Sequence, residues 1–376
     1  MELIIWFSFS LNYALEETRA FTFQLASDVL YLITTLFIIF NFKKILPNIK
    51  EFVKKQNMYQ TILAIILILH ILSIMNPNNI DYLGSIKSTI KIIIVTLFAI
   101  YLKTKHDYDK IFLYTSIPFI IVSFISTLVS FKNLTISDIS GIYDNRNDFG
   151  LILAVSIGSL MVVEKKNKWQ KLAYNLLGLL FLTVLILGGS RGSTLSVLIV
   201  LFLYFIVSLN NNKKLTYKEG VMILSLLVIP GMIFMLEPLK SRFLNLQKDE
   251  SIKDRIELIR ACLDETIKNP LGHCASDKVY YRVKPEKLPK DLQSHFRNGG
   301  CHFTMLDAGL KFGILGTIAW ISIGLILTLK FIRTLKERQK DKIYWIILIL
   351  FLNSFTENYL QFSRLMRLVI FILTGI

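Results

Sequence analysis

The chain has 376 residues, 53% of them hydrophobic and 19% charged, with a mean hydropathy of +0.53. A soluble domain carries roughly 25% charged residues and interrupts its apolar stretches often, so this composition excludes most soluble folds and predicts an all-α polytopic membrane protein. Lys and Arg number 43 against 27 Asp and Glu, a net charge of +16, which in a membrane chain is first an orientation signal and a match to anionic lipid; no nucleic-acid partner is expected.

A hydrocarbon core of roughly 30 Å takes about 20 apolar residues per helix. Twelve segments approach that measure, near residues 3–15, 23–42, 59–75, 85–102, 111–131, 149–163, 171–188, 193–209, 218–236, 304–329, 343–354 and 363–376, the first and the last two being short. The first lacks the basic flank and small-residue cleavage site of a signal peptide and is expected to be a span or half-span. Three regions follow: residues 1–236 with spans one to nine, a long loop at 237–303, and residues 304–376 with spans ten to twelve.

The connecting segments sort by charge. One set holds Lys43, Lys44, Lys50, Lys54 and Lys55, then Lys103, Lys105 and Lys110, then Lys165, Lys166, Lys168 and Lys171, then Lys213, Lys214 and Lys218, then Lys330, Arg333, Lys336, Arg338, Lys340 and Lys342. The alternate short loops carry little beyond Arg19, Lys132, Arg146, Arg191 and Arg364. Positively charged loops stay in the cytoplasm, so both termini are expected inside and the 237–303 loop outside. No internal repeat and no pair of Gly- or Pro-interrupted spans is evident, which weakens a transporter reading.

Loops as long as 237–303 are usually functional. Within this one Ser251 can cap a helix whose apolar residues Ile252, Ile256, Ile259, Leu263 and Ile267 recur at helical spacing, with Asn269-Pro270 as its stop. Its polar face carries Arg255 and Arg260, either as a solvated basic face or as ligands for an anion. All three cysteines, Cys262, Cys274 and Cys301, fall in the same loop. A Cys274–Cys301 link would suit an oxidising compartment, buried free thiols are the alternative, and spacing alone does not choose. The histidines and cysteines do not show metal-ligand spacing, and no metal or cofactor is expected.

Arg191 lies in Gly188-Gly189-Ser190-Arg191-Gly192-Ser193, between the seventh and eighth spans, where an arginine at the membrane edge is rare and usually functional; snorkelling is the bland alternative. Arg146 and Asn147 precede the sixth span in Asp144-Asn145-Arg146-Asn147-Asp148-Phe149-Gly150. His302 opens the tenth span in Gly299-Gly300-Cys301-His302-Phe303-Thr304, with Asp307 five residues on. Fixed arginines and a neutral base suit transfer of a group from a lipid pyrophosphate to a hydroxyl: guanidinium forks hold the pyrophosphate through charge-assisted hydrogen bonds, and the acceptor hydroxyl needs a base, a task suited to imidazole.

At these residues the chain resembles the bacterial O-antigen ligases, which move O-polysaccharide from undecaprenyl pyrophosphate to lipid A-core in lipopolysaccharide biosynthesis. The resemblance rests on the twelve-span plan, Ser190-Arg191-Gly192, the Arg255-led helix ending at Asn269-Pro270-Leu271, and His302 to Gly309 followed by Lys311-Phe312-Gly313. It implies a metal-independent, inverting glycosyltransferase with the glycosyltransferase C type of membrane fold. By that resemblance Arg191 and Arg255 bind the pyrophosphate and His302 acts on the acceptor hydroxyl, with Arg146, Asn147, Arg260 and Asp307 as substrate-binding candidates. It also implies an inner-membrane location and a periplasmic active site. The family's histidine is commonly followed by Asn, where this chain has Phe303 and Thr304. Related polymerases share the outline, so polymerisation of the lipid-linked glycan is the nearest alternative, and transport of a lipid-linked glycan the next.

Overall fold

The computed structural model describes residues 1–16, 18, 24–54, 57–132, 139–143, 145–164, 167–211, 250–337, 342–356 and 362–375. These form helices throughout: α1 (Glu2–Leu15), α2 (Gln24–Lys54), α3 (Met58–Met75), α4 (Tyr82–Lys105), α5 (Tyr108–Lys132), α6 (Arg146–Val162), α7 (Lys168–Leu187), α8 (Arg191–Asn211), α9 (Glu250–Lys268), α10 (Val279–Arg282), α11 (Gln293–Gly299), α12 (Thr304–Glu337), α13 (Lys342–Asn353) and α14 (Phe362–Gly375). Eleven of the twelve expected apolar segments fall on these helices, and the expected span at 218–236 lies outside the described residues. The protein is an all-α polytopic membrane protein. Among the described residues six helices are long and apolar enough to cross a bilayer: those over Ser27–Phe52, Met58–Met75, Tyr82–Lys105, Tyr108–Phe131, Lys168–Leu187 and Thr304–Thr334. The shorter apolar helices are Glu2–Leu15, Arg191–Val207 and Ile343–Asn353.

Several basic residues expected in loops lie on helices instead. Lys43, Lys44, Lys50 and Lys54 continue α2, Lys103 and Lys105 end α4, and Lys330 and Arg333 continue α12. A helix does not need to stop where the hydrocarbon does, because its backbone hydrogen bonds are internal and long lysine stems reach the headgroups.

The centre of the bundle is α14, which packs against α1, α3, α4, α5 and α13. From Met366 to Leu373 its residues are buried, although the segment is short for a span and carries Arg364 and Arg367. Arg367, fully buried, donates from Nε to the Tyr13 carbonyl at 2.8 Å and from Nη2 to the Glu16 carbonyl at 3.1 Å. It thereby satisfies carbonyls that the end of α1 leaves without helical partners. The outer surface is apolar, with Leu32, Ile39, Phe40, Leu83, Ile90, Leu325 and Leu329 all exposed, as a lipid-facing belt requires.

One span is interrupted. Gly313 has φ +70° within α12, a conformation that costs other residues about 1–2 kcal/mol. A Cβ there would lie 2.6 Å from the Pro270 carbonyl carbon. The break is stitched by the loop after α9: Ile314 N donates to Pro270 O at 3.0 Å, and His273 N to Leu310 O at 3.1 Å. Backbone groups freed by the kink thereby find partners, and the extramembrane loop is docked on the kink itself.

The loop helix α9 differs from its expected form in two respects. Ser251 lies inside the helix rather than before it. The face packed on α12 is Leu258, Ala261, Cys262 and Thr266, all buried, whereas Ile256, Leu263 and Ile267 are exposed. Small residues won the inward face because they let α9 approach closely: a Cβ on Gly309 of α12 would fall 2.6 Å from Thr266 Cγ2. Ile256, Leu263 and Ile267 of the regular apolar stripe are left facing outward, where a headgroup layer would receive them. The disulfide joins Cys262 to Cys301, and Cys274 is a buried free thiol. The Cys274–Cys301 link is thus corrected: Cys262 sits on the face of α9 nearest the start of α12, while Cys274 points its thiol at Ser276.

Candidate functional site

The turn before α12 is built to hold one side chain. His302 has φ +52°, and a non-glycine residue in the left-handed region costs on the order of 1–3 kcal/mol unless its surroundings enforce it. They do so from four directions. Cys301 is bonded to α9, and Cys301 N donates to Asp307 Oδ1 at 3.0 Å. Thr304 N donates to Ser354 O at 3.1 Å, and the Phe303 ring packs 5.9 Å from that of Phe355. His302 is left half-buried. Asp307 is fully buried and closes the turn from below through the Cys301 N–H that it accepts.

The elements that carry the two principal arginines meet at one turn. Arg255, near the start of α9 and half-buried, donates from Nη1 to the Thr356 carbonyl at 2.9 Å. Arg191 is the first residue of α8 and half-buried. Its neighbour Gly192 abuts Thr356 so closely that a Cβ would lie 2.8 Å from Thr356 Cβ. One residue further, Ser193 Oγ accepts from Asn353 Nδ2 at 2.6 Å, and both residues are buried. The four-residue turn Asn353–Thr356 that follows α13 therefore touches the helix carrying Arg255, the start of α8 with Arg191, and the start of α12 after His302.

Arg146 and Asn147 begin α6, both half-buried, with Asn147 N donating to the capping Asn145 Oδ1 at 2.9 Å. Their helix reaches the same region through Gly150, where a Cβ would come within 3.2 Å of Ser193 Oγ. Arg260 is exposed on α9, and among the described residues no hydrogen bond joins it to the Asn353–Thr356 turn.

Sequence reasoning missed two parts of this arrangement. Asn353–Thr356 carries no charge and no motif, and its role comes only from what packs around it. Asp148 and Arg364 form a buried ion pair, Arg364 Nη2 to Asp148 Oδ1 at 2.7 Å, with both side chains 6% exposed. Its signal was present, because ionisable residues inside apolar segments seldom lack a partner.

A second set of contacts fixes the loop from the other side. Asp81 Oδ2 accepts from Ser276 Oγ at 2.6 Å and Asp81 Oδ1 from Lys278 Nζ at 3.2 Å. Asn76 Nδ2 donates to Leu271 O at 2.9 Å, and Lys311 Nζ, buried, reaches Asp277 Oδ1 at 2.6 Å. Burial pushes the Asp81 carboxyl up, but the Ser276 and Lys278 hydrogen bonds outweigh it and hold the group below the usual carboxylate range. His273, 3.1 Å from Glu265, is pushed down by burial against the pull of that carboxylate, and burial raises the Cys274 thiol.

Chemically, the arrangement offers two guanidinium groups on separate rigid elements, one at a helix N-terminus where backbone N–H groups favour an anion, and an imidazole on a clamped turn. Residues 176–321 match the family model described as O-antigen ligase. That interval includes Arg191, Arg255, Arg260, His302 and Asp307 and ends before the Asn353–Thr356 turn. No curated protein and no solved structure matches the chain.

Proposed function

We propose that this membrane protein, whose residues 176–321 match the O-antigen ligase family model, is a glycosyltransferase that moves a glycan from undecaprenyl pyrophosphate to lipid A-core at the periplasmic face of the inner membrane. The observation that carries the proposal is the hydrogen bond from Arg255 to the Thr356 carbonyl, in a turn that also abuts the start of α8 and the start of α12. It supports a single locus for Arg191, Arg255 and His302. The disulfide at the same locus supports an oxidising side of the membrane.

In the proposed reaction Arg191 and Arg255 grip the donor pyrophosphate. The acceptor hydroxyl oxygen attacks the anomeric carbon from the face opposite the pyrophosphate, its proton passes to His302, and the carbon–oxygen bond to phosphate breaks with the electron pair leaving on undecaprenyl pyrophosphate. The configuration at the anomeric carbon inverts. Arginines that stabilise charge developing on the leaving group act where such contacts are strongest, in a partly buried site. Asp307 serves as a positioning residue through Cys301 N.

The test uses purified protein in detergent, an undecaprenyl pyrophosphate-linked glycan and lipid A-core, with and without EDTA, following glycan transfer on a gel. Transfer that persists in EDTA and disappears in His302→Ala is the expected result. Growth of the lipid-linked glycan itself, with none moved to lipid A-core, would make the protein a polymerase. Full activity of the Arg191→Ala/His302→Ala double variant would overturn the assignment of the site.

A further inference from the structure

Two guanidinium groups on different helices bind one diphosphate well only if their separation is fixed before the ligand arrives. Otherwise each binding event must order two long side chains and two backbone elements, and that entropy subtracts from affinity. Arg191 belongs to α8 and Arg255 to α9, and a long excursion of the chain separates the two helices, so proximity in sequence does not set their spacing. Among the described residues, Thr356 touches both elements.

Thr356 meets each arginine's element with a different part of itself. Its carbonyl oxygen accepts from Arg255 Nη1 at 2.9 Å. Its side chain fills the space beside Gly192, next to Arg191, where an added Cβ would collide with Oγ1 and lie 2.8 Å from Cβ. The turn that presents it is fixed internally, Thr356 Oγ1 donating to Asn353 O at 3.0 Å. It is fixed to α8 by Asn353 Nδ2 on Ser193 Oγ at 2.6 Å, and to α12 by Ser354 O accepting from Thr304 N at 3.1 Å. Trp320 Nε1, donating to Ser354 Oγ at 3.3 Å, ties it to the membrane-buried part of α12 as well.

We infer that Thr356 is a positioning residue for the donor: the turn it closes sets the distance between Arg191 and Arg255, and so selects a diphosphate as the group they hold. The inference rests on the proposed function. A side chain at position 192 would force apart α8 and the turn, moving one guanidinium relative to the other without removing either. The His302 turn, tied to the Asn353–Thr356 turn through Thr304 N on Ser354 O and to α9 by the disulfide, would move with them as α8 yields and keep its geometry.

The experiment measures kcat and separate KM values for the undecaprenyl pyrophosphate-linked donor and the lipid A-core acceptor in wild type, Gly192→Ala and Gly192→Ala/Thr356→Gly. Thr356→Gly clears the space for the new methyl while keeping the carbonyl that Arg255 uses. Gly192→Ala is expected to raise the donor KM by about tenfold or more, as small misplacements of binding groups do, with the acceptor KM unchanged; the double variant is expected to recover part of the loss, because Thr356→Gly relieves the clash but also removes the Oγ1 bond to Asn353 O. An unchanged donor KM in Gly192→Ala, an equal rise in both KM values, or a double variant no better than the single one would overturn the inference and leave the proposed function standing. Wild-type protein that is folded, carries its disulfide and transfers nothing would overturn both. If Gly192→Ala does not survive extraction, Ser193→Ala carries the test, since it removes only the acceptor of the Asn353 amide: the donor KM should rise by about threefold, and no rise would overturn the inference.

Discussion

Cys262 is bonded to Cys301, which makes the helix carrying Arg255 and the turn carrying His302 one covalent unit. A 39-residue separation is closed by the bond, and a loop of that size stabilises the folded state by about 3–4 kcal/mol in the chain-entropy account. Cys262→Ser/Cys301→Ser should therefore lower the unfolding temperature in detergent and reduce transfer. Cys274→Ser should leave the mobility on a non-reducing gel unchanged. A shift in that mobility on Cys274→Ser would mean that the cysteines pair differently.

Gly313 should not tolerate a side chain. Its positive φ and the nearness of the Pro270 carbonyl carbon, which an alanine Cβ would approach to 2.6 Å, act together, so Gly313→Ala should cost about 2 kcal/mol or more. Because Pro270 and His273 dock on the kink, the same change should increase proteolysis within the loop at 269–283. A variant as stable and as protease-resistant as wild type would contradict the stitched kink.

The ion pair between Asp148 and Arg364 is buried on both sides. Removing one partner strands the other, at a cost of about 3–5 kcal/mol. Arg364→Ala should accordingly reduce the yield of folded protein more than Arg260→Ala, whose side chain is exposed. Equal yields would show that the pair contributes little.

Acid should loosen the loop through Asp81. Its folded-state pKa is depressed, because hydrogen bonds from Ser276 and Lys278 outweigh the opposing effect of burial. The stability it contributes is thus fully present above the unfolded carboxyl's value, about 3.9, and is lost as pH falls through the lower folded value. Melting temperatures recorded from neutral pH downward should fall at the acid end, and Asp81→Asn should flatten that fall while lowering the neutral plateau. An acid limb of the same depth in Asp81→Asn would assign it to other groups.

Helix positions were legible because an apolar run long enough to span hydrocarbon has few alternatives. Arg191, Arg255 and His302 stood out for a related reason: charged or titratable groups at a membrane edge need an explanation. The turn Asn353–Thr356 was illegible because its contribution is made by backbone carbonyls and by the space beside Gly192, which no residue type announces. The break in α12 was hidden because Gly313 sits in an apolar run that a glycine does not interrupt, and what licenses its conformation is the distant Pro270. The disulfide partner was missed because the face of α9 that turns inward was chosen by close packing, with Ala261, Cys262 and Thr266 inward, and not by the more regular isoleucine stripe.

Arg367 and the carbonyl of Tyr13 are 354 residues apart in the chain, and this bears on the order of assembly in the bilayer. The first five helices can insert as they are made, but the slot they leave for α14 stays open until that helix arrives. Until then the carbonyls at the end of α1 and the Thr115 hydroxyl of α5, which meets Thr374 at 3.0 Å, lack their final neighbours. Contacts of such long sequence separation form late, so the early helices should pass through a loosely associated stage in which lipid or an insertion factor occupies the slot. Completion of the bundle is then a single late event, and the site, whose turn joins α13 to the segment leading into α14, is assembled by the same step.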